Sequence, residues 1–318
     1  MHPLAHQIPI VFITDENFVM QTCVAITSVL ATKKPETEYA IYVVAADCRA
    51  EALDPLRHMQ GVRLIEASLD AYKSIRQIAH IPIACLLKFA VCELVPEFDK
   101  LIYLDGDIIV REDLSSLYEV DLEDNYAAAV FPRMDPGDPR KKINAGVMLF
   151  NAAKMRHDGM HDKLMTYRRN LGDRGSMDQQ AFNSMLGDQI KPLHVRYNCM
   201  PAQFKDDIER KGLDYLNQLL CTEYHSLEEL VEDGCIIHYS TGFKPWKYSH
   251  VPCGDEWRYW YDRSPFAVHK LRCKGRLGQY GDILADEYRK GRIKAVLLRL
   301  VKAVWHRVTG KKPEFFWG

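Results

Sequence analysis

LIYLDGDIIV, the stretch at residues 101–110, consists of two apolar runs separated by Asp105, Gly106 and Asp107. The first run predicts a buried strand that ends at Asp105, because short runs of Leu, Ile and Tyr are typical of strands covered on both faces. In an open α/β sheet, ligands bind beyond the carboxyl ends of the strands. We therefore expect Asp105 and Asp107 to project into a binding crevice.

Similar apolar runs occur on both sides of this stretch and alternate with segments of helical spacing. Strands are predicted at 8–13 (IPIVFI), 40–45 (AIYVVA), 62–67 (VRLIEA), 127–131 (AAAVF) and 146–151 (GVMLFN). Helices are predicted at 18–31, near 50–60, near 84–95, at 152–171 and at 178–187, with a loop at 134–142. This alternation predicts an α/β fold around a mainly parallel central sheet.

The composition is that of a folded globular protein. Of its 318 residues, 47% are hydrophobic and 27% are charged, which excludes a mostly disordered or fibrous chain. The nine cysteines form no CxxC pair and are odd in number, so reduced thiols in a cytosol are expected. No export signal and no run of about 18 apolar residues is found, so neither secretion nor a membrane span is expected.

The net charge of −1 conceals a basic C-terminal tail. Residues 270–312 contain 13 Lys and Arg but three acids, a local charge of +10, and the rest of the chain therefore carries −11. Within 291–308, apolar residues at three- and four-residue steps predict a basic amphipathic helix, which suits docking on an anionic membrane surface. The alternative is packing on the body or on a second subunit. A net charge close to zero gives no reason to expect a nucleic-acid partner.

The paired aspartates suggest a metal site. Hard oxygen ligands two residues apart suit Mg²⁺ or Mn²⁺ that also contacts a diphosphate, although a β-turn could use the same residues for conformation alone. Further polar groups lie near predicted strand ends and loops, namely Asn144, Ala145 and Gly146, then Asp178 and Gln179, then His238 and Lys244. A lone histidine is usually structural, but beside two aspartates and a lysine suited to phosphate we favour a ligand role for His238.

Five segments, in order along the chain, resemble those of the family 8 glycosyltransferases. They are FITDENF, YLDGDIIV, NAGVMLFN, DQQAFN and HYSTGFKPW, and the resemblance covers about residues 8–250. This GT-A-fold group includes bacterial lipopolysaccharide glucosyl- and galactosyltransferases and the glycogenins. It implies a Rossmann-like nucleotide-diphospho-sugar transferase fold in a catalytic domain at 1–262, with a donor-binding part at about 1–110 and an acceptor part at about 111–262. Residues 263–318 would form a basic helical extension.

The resemblance also implies roles for particular residues. Asp105, Asp107 and His238 would ligate Mn²⁺, with Mg²⁺ as the alternative, and the metal would neutralise the diphosphate of a UDP-sugar. The other implied donor contacts are Thr14, Asp15, Asn17, Lys88, Gly106, Asn144, Ala145, Gly242 and Lys244. Of these, Asp15 and Asn17 would reach the uracil and ribose, although one of them could instead cap the helix that follows.

Several positions depart from the family pattern. Lys88 stands where arginine is common, which keeps the charge but loses the bidentate fork; alternatively, Lys88 extends to solvent from a packed helix. Phe18 replaces a frequent tyrosine, and Thr241 takes the place of a glycine, with Gly242 one position later. Pro132 sits where related galactosyltransferases carry an acceptor-site aspartate. Asp135 or Asp138 could substitute for that aspartate.

Asp178 and Gln179 match the positions next to the anomeric carbon, and we predict that they are catalytic. The family retains the anomeric configuration, by front-face attack or by double displacement. Because Gln179 is a poor nucleophile, we favour front-face attack, in which the leaving phosphate oxygen helps to take the acceptor proton.

The sequence thus predicts a Mn²⁺-dependent retaining hexosyltransferase that moves galactose or glucose from a UDP-sugar to a lipopolysaccharide-core or other cell-surface glycan. It would be cytoplasmic and peripheral on the inner face of the cytoplasmic membrane. One alternative keeps the donor but uses a protein or another polysaccharide as acceptor. A second is a non-catalytic sugar-nucleotide-binding scaffold. The hexose, the linkage and the oligomeric state are left open.

Overall fold

A computed structural model describes residues 7–75, 82–135, 137–172 and 177–289. The predicted amphipathic helix at 291–308 lies outside these residues. Within them, none of the helices combines the length and the apolar character needed to cross a bilayer.

Eleven strands are found in the described ranges: β1 (Gln7–Thr14), β2 (Glu38–Ala46), β3 (Val62–Ala67), β4 (Lys100–Leu104), β5 (Ile108–Val110), β6 (Ala127–Ala129), β7 (Arg133–Met134), β8 (Lys141–Lys142), β9 (Val147–Asn151), β10 (Ile190–Pro192) and β11 (Ile236–His238). The α-helices of the same ranges are α1 (Val19–Ala31), α2 (Asp54–Arg57), α3 (Val91–Leu94), α4 (Ser115–Tyr118), α5 (Ala152–His157), α6 (Met160–Leu171), α7 (Gln179–Met185), α8 (Pro201–Lys211), α9 (Leu213–Leu220), α10 (Leu227–Glu232), α11 (Gly254–Tyr261) and α12 (Arg276–Arg289). Short 3₁₀ helices include Ile83–Ala90 and Val195–Asn198.

Seven strands form the central sheet, in the order β10-β6-β9-β4-β1-β2-β3. The pairs β1 with β2, β1 with β4, β2 with β3, and β6 with β10 are parallel. Strand β9 runs antiparallel to both of its neighbours, β4 and β6. The predicted α/β fold with a mainly parallel central sheet is therefore confirmed.

Both faces of the sheet are buried. In β1, Ile10 and Phe12 enter one core, whereas Val11 and Ile13 enter the other. Helix α1 covers the first face, and the 3₁₀ helix Ile83–Ala90 covers the second together with α5, α6 and α7. Because neither face of β1, β4 and β9 meets water, these strands are apolar almost throughout and stand out in the sequence, whereas the edge strand β3 exposes Arg63 and Glu66.

The chain leaves the central sheet at Leu104, where β4 ends. After Asp105, Gly106 and Asp107 it continues as β5, which pairs antiparallel with β11 in a separate two-stranded sheet. The two aspartates therefore lie at the junction of two sheets, at the carboxyl end of β4.

Local structure differs from the sequence prediction in three places. The single helix expected at 152–171 is divided into α5 and α6, because Gly159 adopts a left-handed conformation with a φ of 59°. The segment near 84–95 is mostly 3₁₀ helix before α3. The loop predicted at 134–142 is part of a hairpin, in which Arg133 pairs with Lys142 and Met134 with Lys141.

The described part of the C-terminal extension packs against the loop at 247–249. The Tyr248 hydroxyl donates to Asp282 Oδ2 of α12 at 2.9 Å, and the backbone N–H of Ser249 donates to the carbonyl of Lys274 at 3.0 Å. All nine cysteines lie within the described residues and are free thiols.

Helix α11 provides a test of the packing. Trp257 is fully buried, with its ring centroid 5.3 Å from that of Trp246 and 5.5 Å from that of Tyr261. Truncation leaves a cavity, so we expect Trp257→Ala to lower the free energy of unfolding by about 3–5 kcal/mol in urea titrations. The control is Tyr259→Ala on the same helix, where the side chain is 49% exposed; it should change stability by no more than about 0.5 kcal/mol. Equal losses would contradict this packing.

Candidate active site

Strand pairing brings two of the predicted segments together. The backbone N–H of Asp105 donates to the carbonyl of Gly146 at 2.8 Å, which continues the β4 and β9 register where Leu104 faces Val147. Because β9 runs antiparallel to β4, the residues that precede β9 lie at the same edge of the sheet as the end of β4. Asn144, Ala145 and Gly146 are therefore neighbours of the two aspartates.

The second sheet brings the histidine to the same place. His238 pairs with Ile108 across β11 and β5, and the backbone N–H of Tyr239 donates to the carbonyl of Asp107 at 2.9 Å. His238 Nε2 lies 3.3 Å from Asp107 Oδ1. Ligand atoms of Asp105, Asp107 and His238 all lie within 4.8 Å of one another, so these three side chains could hold a metal ion.

The chemistry of this donor set fits a divalent cation. Asp107 and His238 are 8% and 3% exposed, and a buried carboxylate needs positive charge nearby. Lys244 supplies one such charge, with Nζ 2.6 Å from Asp107 Oδ2. Burial alone would raise the pKa of Asp107, but its neighbours, above all the positively charged Lys244, outweigh burial, so its pKa is lowered. Asp107 is thus held as a carboxylate with an imidazole beside it, a set suited to Mn²⁺ or a similar ion.

Lys88 projects from the 3₁₀ helix into the site and is 3% exposed. Its ammonium donates to the carbonyl of Ala145 at 2.9 Å, and it lies 2.6 Å from Asp178 Oδ2 and 3.3 Å from Asp105 Oδ1. Burial disfavours the charge of Lys88, but Asp105 and Asp178 overcome that penalty and raise its pKa. The alternative in which Lys88 extends to solvent is therefore wrong. Its contact with the donor stays a prediction.

The two predicted catalytic residues lie at the start of α7. Asp178 precedes the helix, and its side chain is 12% exposed beside Lys88. Gln179 Oε1 accepts from the backbone N–H of Ala145 at 3.3 Å. Asn144 Oδ1 accepts from the backbone N–H of Gly146 at 2.9 Å, while the amide hydrogens of Asn144 have no acceptor within the described residues. Ala145 thus links the two candidates, since it donates to Gln179 and accepts from Lys88, which contacts Asp178.

The loop after β1 and the start of α1 lie next to the DGD turn, which consists of Asp105, Gly106 and Asp107. Thr14 Oγ1 accepts from Thr22 Oγ1 at 3.2 Å, and a Cβ on Gly106 would come within 2.7 Å of the same Thr22 oxygen. Gly106 therefore allows the DGD turn to approach α1. Asp15 Oδ1 accepts from the backbone N–H of Asn17, so it orders the loop instead of capping α1, whose N-cap is Phe18. The contacts of Asp15 and Asn17 with a nucleoside stay predictions.

Gly242 and the residues of the β7–β8 hairpin are two further groups of predicted site residues. Gly242 follows β11 in a loop, and a Cβ there would meet nothing within 4 Å, so its backbone is open to a ligand. On the acceptor side, Pro132 is buried. Asp135 pairs with Arg133 at 3.0 Å, and Asp138 pairs with Arg140 and Lys142 at 2.9 and 2.7 Å. Both acids are thus already neutralised by bases of their own hairpin.

Sequence reasoning missed two residues that support the site. Asn198 is fully buried and contacts His238, with Asn198 Oδ1 2.8 Å from His238 Nδ1. The Tyr103 hydroxyl donates to Asp105 Oδ1 at 2.7 Å, and Tyr103 is also buried. Asn198 is the uncharged amide in the largely apolar stretch VRYNCM. It could have been found on that ground, because buried polar groups need partners.

The model of glycosyl transferase family 8 matches residues 9–250, and the chain belongs to that family. Its fold resembles that of the solved galactosyltransferase LgtC in complex with donor and acceptor sugar analogues, with a TM-score of 0.66 and 24% identity over 81% of this chain and 96% of that one. This similarity confirms the GT-A-type fold.

The chain is also similar in sequence to several curated proteins. General stress protein A of Bacillus subtilis is 25% identical, over 74% of this chain and 86% of that protein. Lipopolysaccharide 1,2-glucosyltransferase of Escherichia coli is 22% identical, over 79% of this chain and 77% of that protein. Glycosyltransferase GlyE of Streptococcus pneumoniae is 27% identical over 74% of this chain, which spans 56% of the length of GlyE.

Gly146 provides a steric test of the cluster. A Cβ there would lie 2.3 Å from His238 Cε1 and 2.9 Å from Asp105 Oδ2, closer than real contacts allow. We expect Gly146→Ala to displace both side chains and to weaken Mn²⁺ binding at least about tenfold, measured by electron paramagnetic resonance of free Mn²⁺. Gly275→Ala is the control, since a Cβ there meets nothing within 4 Å. Unchanged Mn²⁺ affinity in Gly146→Ala would show that these side chains do not hold the ion.

Proposed function

We propose that this protein is a divalent-metal-dependent retaining hexosyltransferase that transfers galactose or glucose from a UDP-sugar to a cell-surface glycan. The observation that carries the proposal is the group formed by Asp105, Asp107 and His238, whose ligand atoms lie within 4.8 Å of one another. Around this group lie Lys244, Lys88 and the pair Asp178 and Gln179 at the start of α7. Such a set provides for a cation, a diphosphate and a sugar side by side.

The diphosphate would lie beside the metal ligands and Lys244. A divalent cation such as Mn²⁺, held by Asp105, Asp107 and His238, would neutralise the charge that develops on the departing nucleoside diphosphate. Lys244 lies 2.6 Å from Asp107 Oδ2 and adds a fixed positive charge at the same place. Gly242, two residues earlier, leaves room for phosphate oxygens to approach its backbone. Thr14, Asp15 and Asn17 would then reach the nucleoside from the end of β1.

The transferred sugar would be held by groups that lie next to the cation ligands. Asn144 offers amide hydrogens, and Asp178 offers a carboxylate whose position is set by Lys88 at 2.6 Å. Gln179 is held by Ala145 at 3.3 Å, which places a neutral amide in the same group. Because an amide is a poor nucleophile, we favour front-face attack, with a leaving phosphate oxygen helping to take the proton of the acceptor hydroxyl.

A lipopolysaccharide-core glycan is the proposed acceptor. Support comes from the similarity to lipopolysaccharide 1,2-glucosyltransferase over 79% of this chain and from the fold shared with LgtC, solved with an acceptor sugar analogue. A protein or another polysaccharide as acceptor, and a scaffold without turnover, are the alternatives. These alternatives differ in which molecule receives the transferred sugar, or in whether any molecule receives it.

The catalytic assignment is tested with radiolabelled UDP-galactose and UDP-glucose in the presence of Mn²⁺, with candidate glycans and with water as acceptors. We expect Asp178→Asn and Gln179→Ala each to lower transfer more than about tenfold, and Asp107→Ala to abolish metal-dependent turnover, because each loses a contact near the reacting atoms. Asp255→Asn is the control, since its carboxylate is fully exposed on α11.

The outcomes separate the alternatives. Near-normal rates in both the Asp178→Asn and the Gln179→Ala proteins would remove these residues from the site. Donor binding without turnover, even with every acceptor, would favour the scaffold.

We further propose that the protein is cytoplasmic and docks on the inner face of the cytoplasmic membrane through residues 291–308. The support is their sequence, in which Lys294, Arg299 and Lys302 flank an apolar stripe.

Neutralising these three residues tests the docking. Replacing all three by Gln should reduce partition onto phosphatidylglycerol vesicles at least about tenfold, since each basic residue near such a surface contributes about 1 kcal/mol. The matched control replaces Lys205, Arg210 and Lys211 of α8 by Gln, which removes the same charge from the body. Equal vesicle binding by both triple variants and the unaltered protein in a sedimentation assay would exclude docking through this segment.

A further inference from the structure

A buried chain of hydrogen bonds runs from the backbone of β9 to the histidine of the metal-binding group. The backbone N–H of Gly146 donates to Asn144 Oδ1 at 2.9 Å, and Asn198 Nδ2 donates to the same oxygen at 2.9 Å. Asn198 Oδ1 then lies 2.8 Å from His238 Nδ1. Asn198 and His238 are 0% and 3% exposed, so water does not replace these partners.

Each link of this chain determines the next. A backbone N–H can only donate, so the Asn144 atom that faces Gly146 is the amide oxygen. Asn198 must therefore present its NH₂ group to that oxygen, which directs its own oxygen at His238. An amide oxygen can only accept, so His238 Nδ1 carries a hydrogen. The lone pair of Nε2 is then free to face Asp107 and any bound cation.

Without this chain, His238 would be expected to adopt the opposite tautomer. Nε2 lies 3.3 Å from Asp107 Oδ1, and a hydrogen on Nε2 would make a charge-assisted bond to that carboxylate. A hydrogen on Nε2 would block metal coordination by that nitrogen. In that tautomer, the bare Nδ1 would face Asn198 Oδ1. Turning the Asn198 amide over would give Nδ1 a donor but would direct the amide oxygen at Asn144 Oδ1. Both arrangements oppose two acceptors at hydrogen-bond distance, 2.8 or 2.9 Å, which is closer than the 3.3 Å between Nε2 and Asp107 Oδ1.

We infer that Asn198 is a positioning residue that keeps the hydrogen of His238 on Nδ1 and so prepares Nε2 as a metal ligand. Partners of this kind are usual for metal-binding histidines. In this chain the partner is itself oriented by Asn144, which is among the residues proposed to hold the sugar. Asn198 thus joins the sugar-binding and metal-binding halves of the site. The metal role of His238 rests on the proposed function, whereas its tautomer does not.

The tautomer is measured directly on the full-length protein. With ¹⁵N-labelled histidine and no added metal, we expect the ring of His238, identified by its absence in His238→Gln, to show a protonated Nδ1 in long-range ¹H–¹⁵N spectra. Asn198→Leu should lose this Nδ1 proton, because leucine accepts no hydrogen bond. An unprotonated Nδ1 in the unaltered protein would overturn the inference.

Metal affinity gives the second readout, by electron paramagnetic resonance titration with Mn²⁺ alone. We expect Asn198→Leu to bind Mn²⁺ at least about tenfold more weakly. Asn198→Asp retains an acceptor for Nδ1–H and should bind Mn²⁺ within about threefold of the unaltered protein. Because aspartate cannot donate to Asn144, this variant should instead lose sugar transfer through a lower kcat. Equal Mn²⁺ affinity in the leucine and aspartate variants would contradict the inference.

The control is Asn217→Leu. Asn217 joins α9 to Tyr224 through bonds of 2.8 and 3.0 Å outside the metal-binding group, so its loss should lower stability without changing Mn²⁺ affinity or the His238 spectrum. If the unaltered protein binds no Mn²⁺, the proposed function fails, but the spectrum of His238 still decides whether Asn198 sets the tautomer.

Discussion

The buried ammonium of Lys88 is the interaction on which the candidate site most depends. Asp105 and Asp178 come from segments far apart in sequence, and their side chains are 32% and 12% exposed. Two such negative charges repel each other, and a cation between them offsets the repulsion. Lys88 supplies it, at 3.3 Å from Asp105 and 2.6 Å from Asp178, and also donates to the backbone of Ala145. One ammonium thus joins the DGD turn, the start of β9 and the start of α7.

Lysine at position 88 has a particular consequence. An arginine could grip a carboxylate with two parallel bonds, whereas an ammonium is a compact charge with three donors in tetrahedral directions. Here the three donors have three nearby acceptors, provided by Asp105, Asp178 and Ala145. The Tyr103 ring, 4.5 Å from the ammonium, covers it further. The loss of the bidentate fork is therefore compensated by a site shaped around a point charge.

Much of the fold and of the site could be predicted from the sequence. Strands buried on both faces appear as unbroken apolar runs, and the polar residues at their ends stand out, as Asp105, Asp107 and Asn144 do. Helix boundaries were less predictable, because the division at Gly159 depends on one left-handed residue within a segment of helical spacing. Asn198 escaped notice because a single asparagine in a short apolar segment shows no periodic pattern. Its importance arises only from the side chain opposite it.

Burial and hydrogen bonding leave a regular pattern along the chain, so the layered α/β architecture, the family and the residue types available for catalysis can be inferred from the order of residues. Which of these residues meet depends on how the strands pair in three dimensions. Antiparallel pairing of β9 with β4 brings Gly146 to Asp105, and pairing of β11 with β5 brings His238 to Asp107. The state of Lys88, buried instead of solvated, was likewise decided by packing. These contacts join residues separated by tens of positions or more, and no local pattern encodes a distance in space.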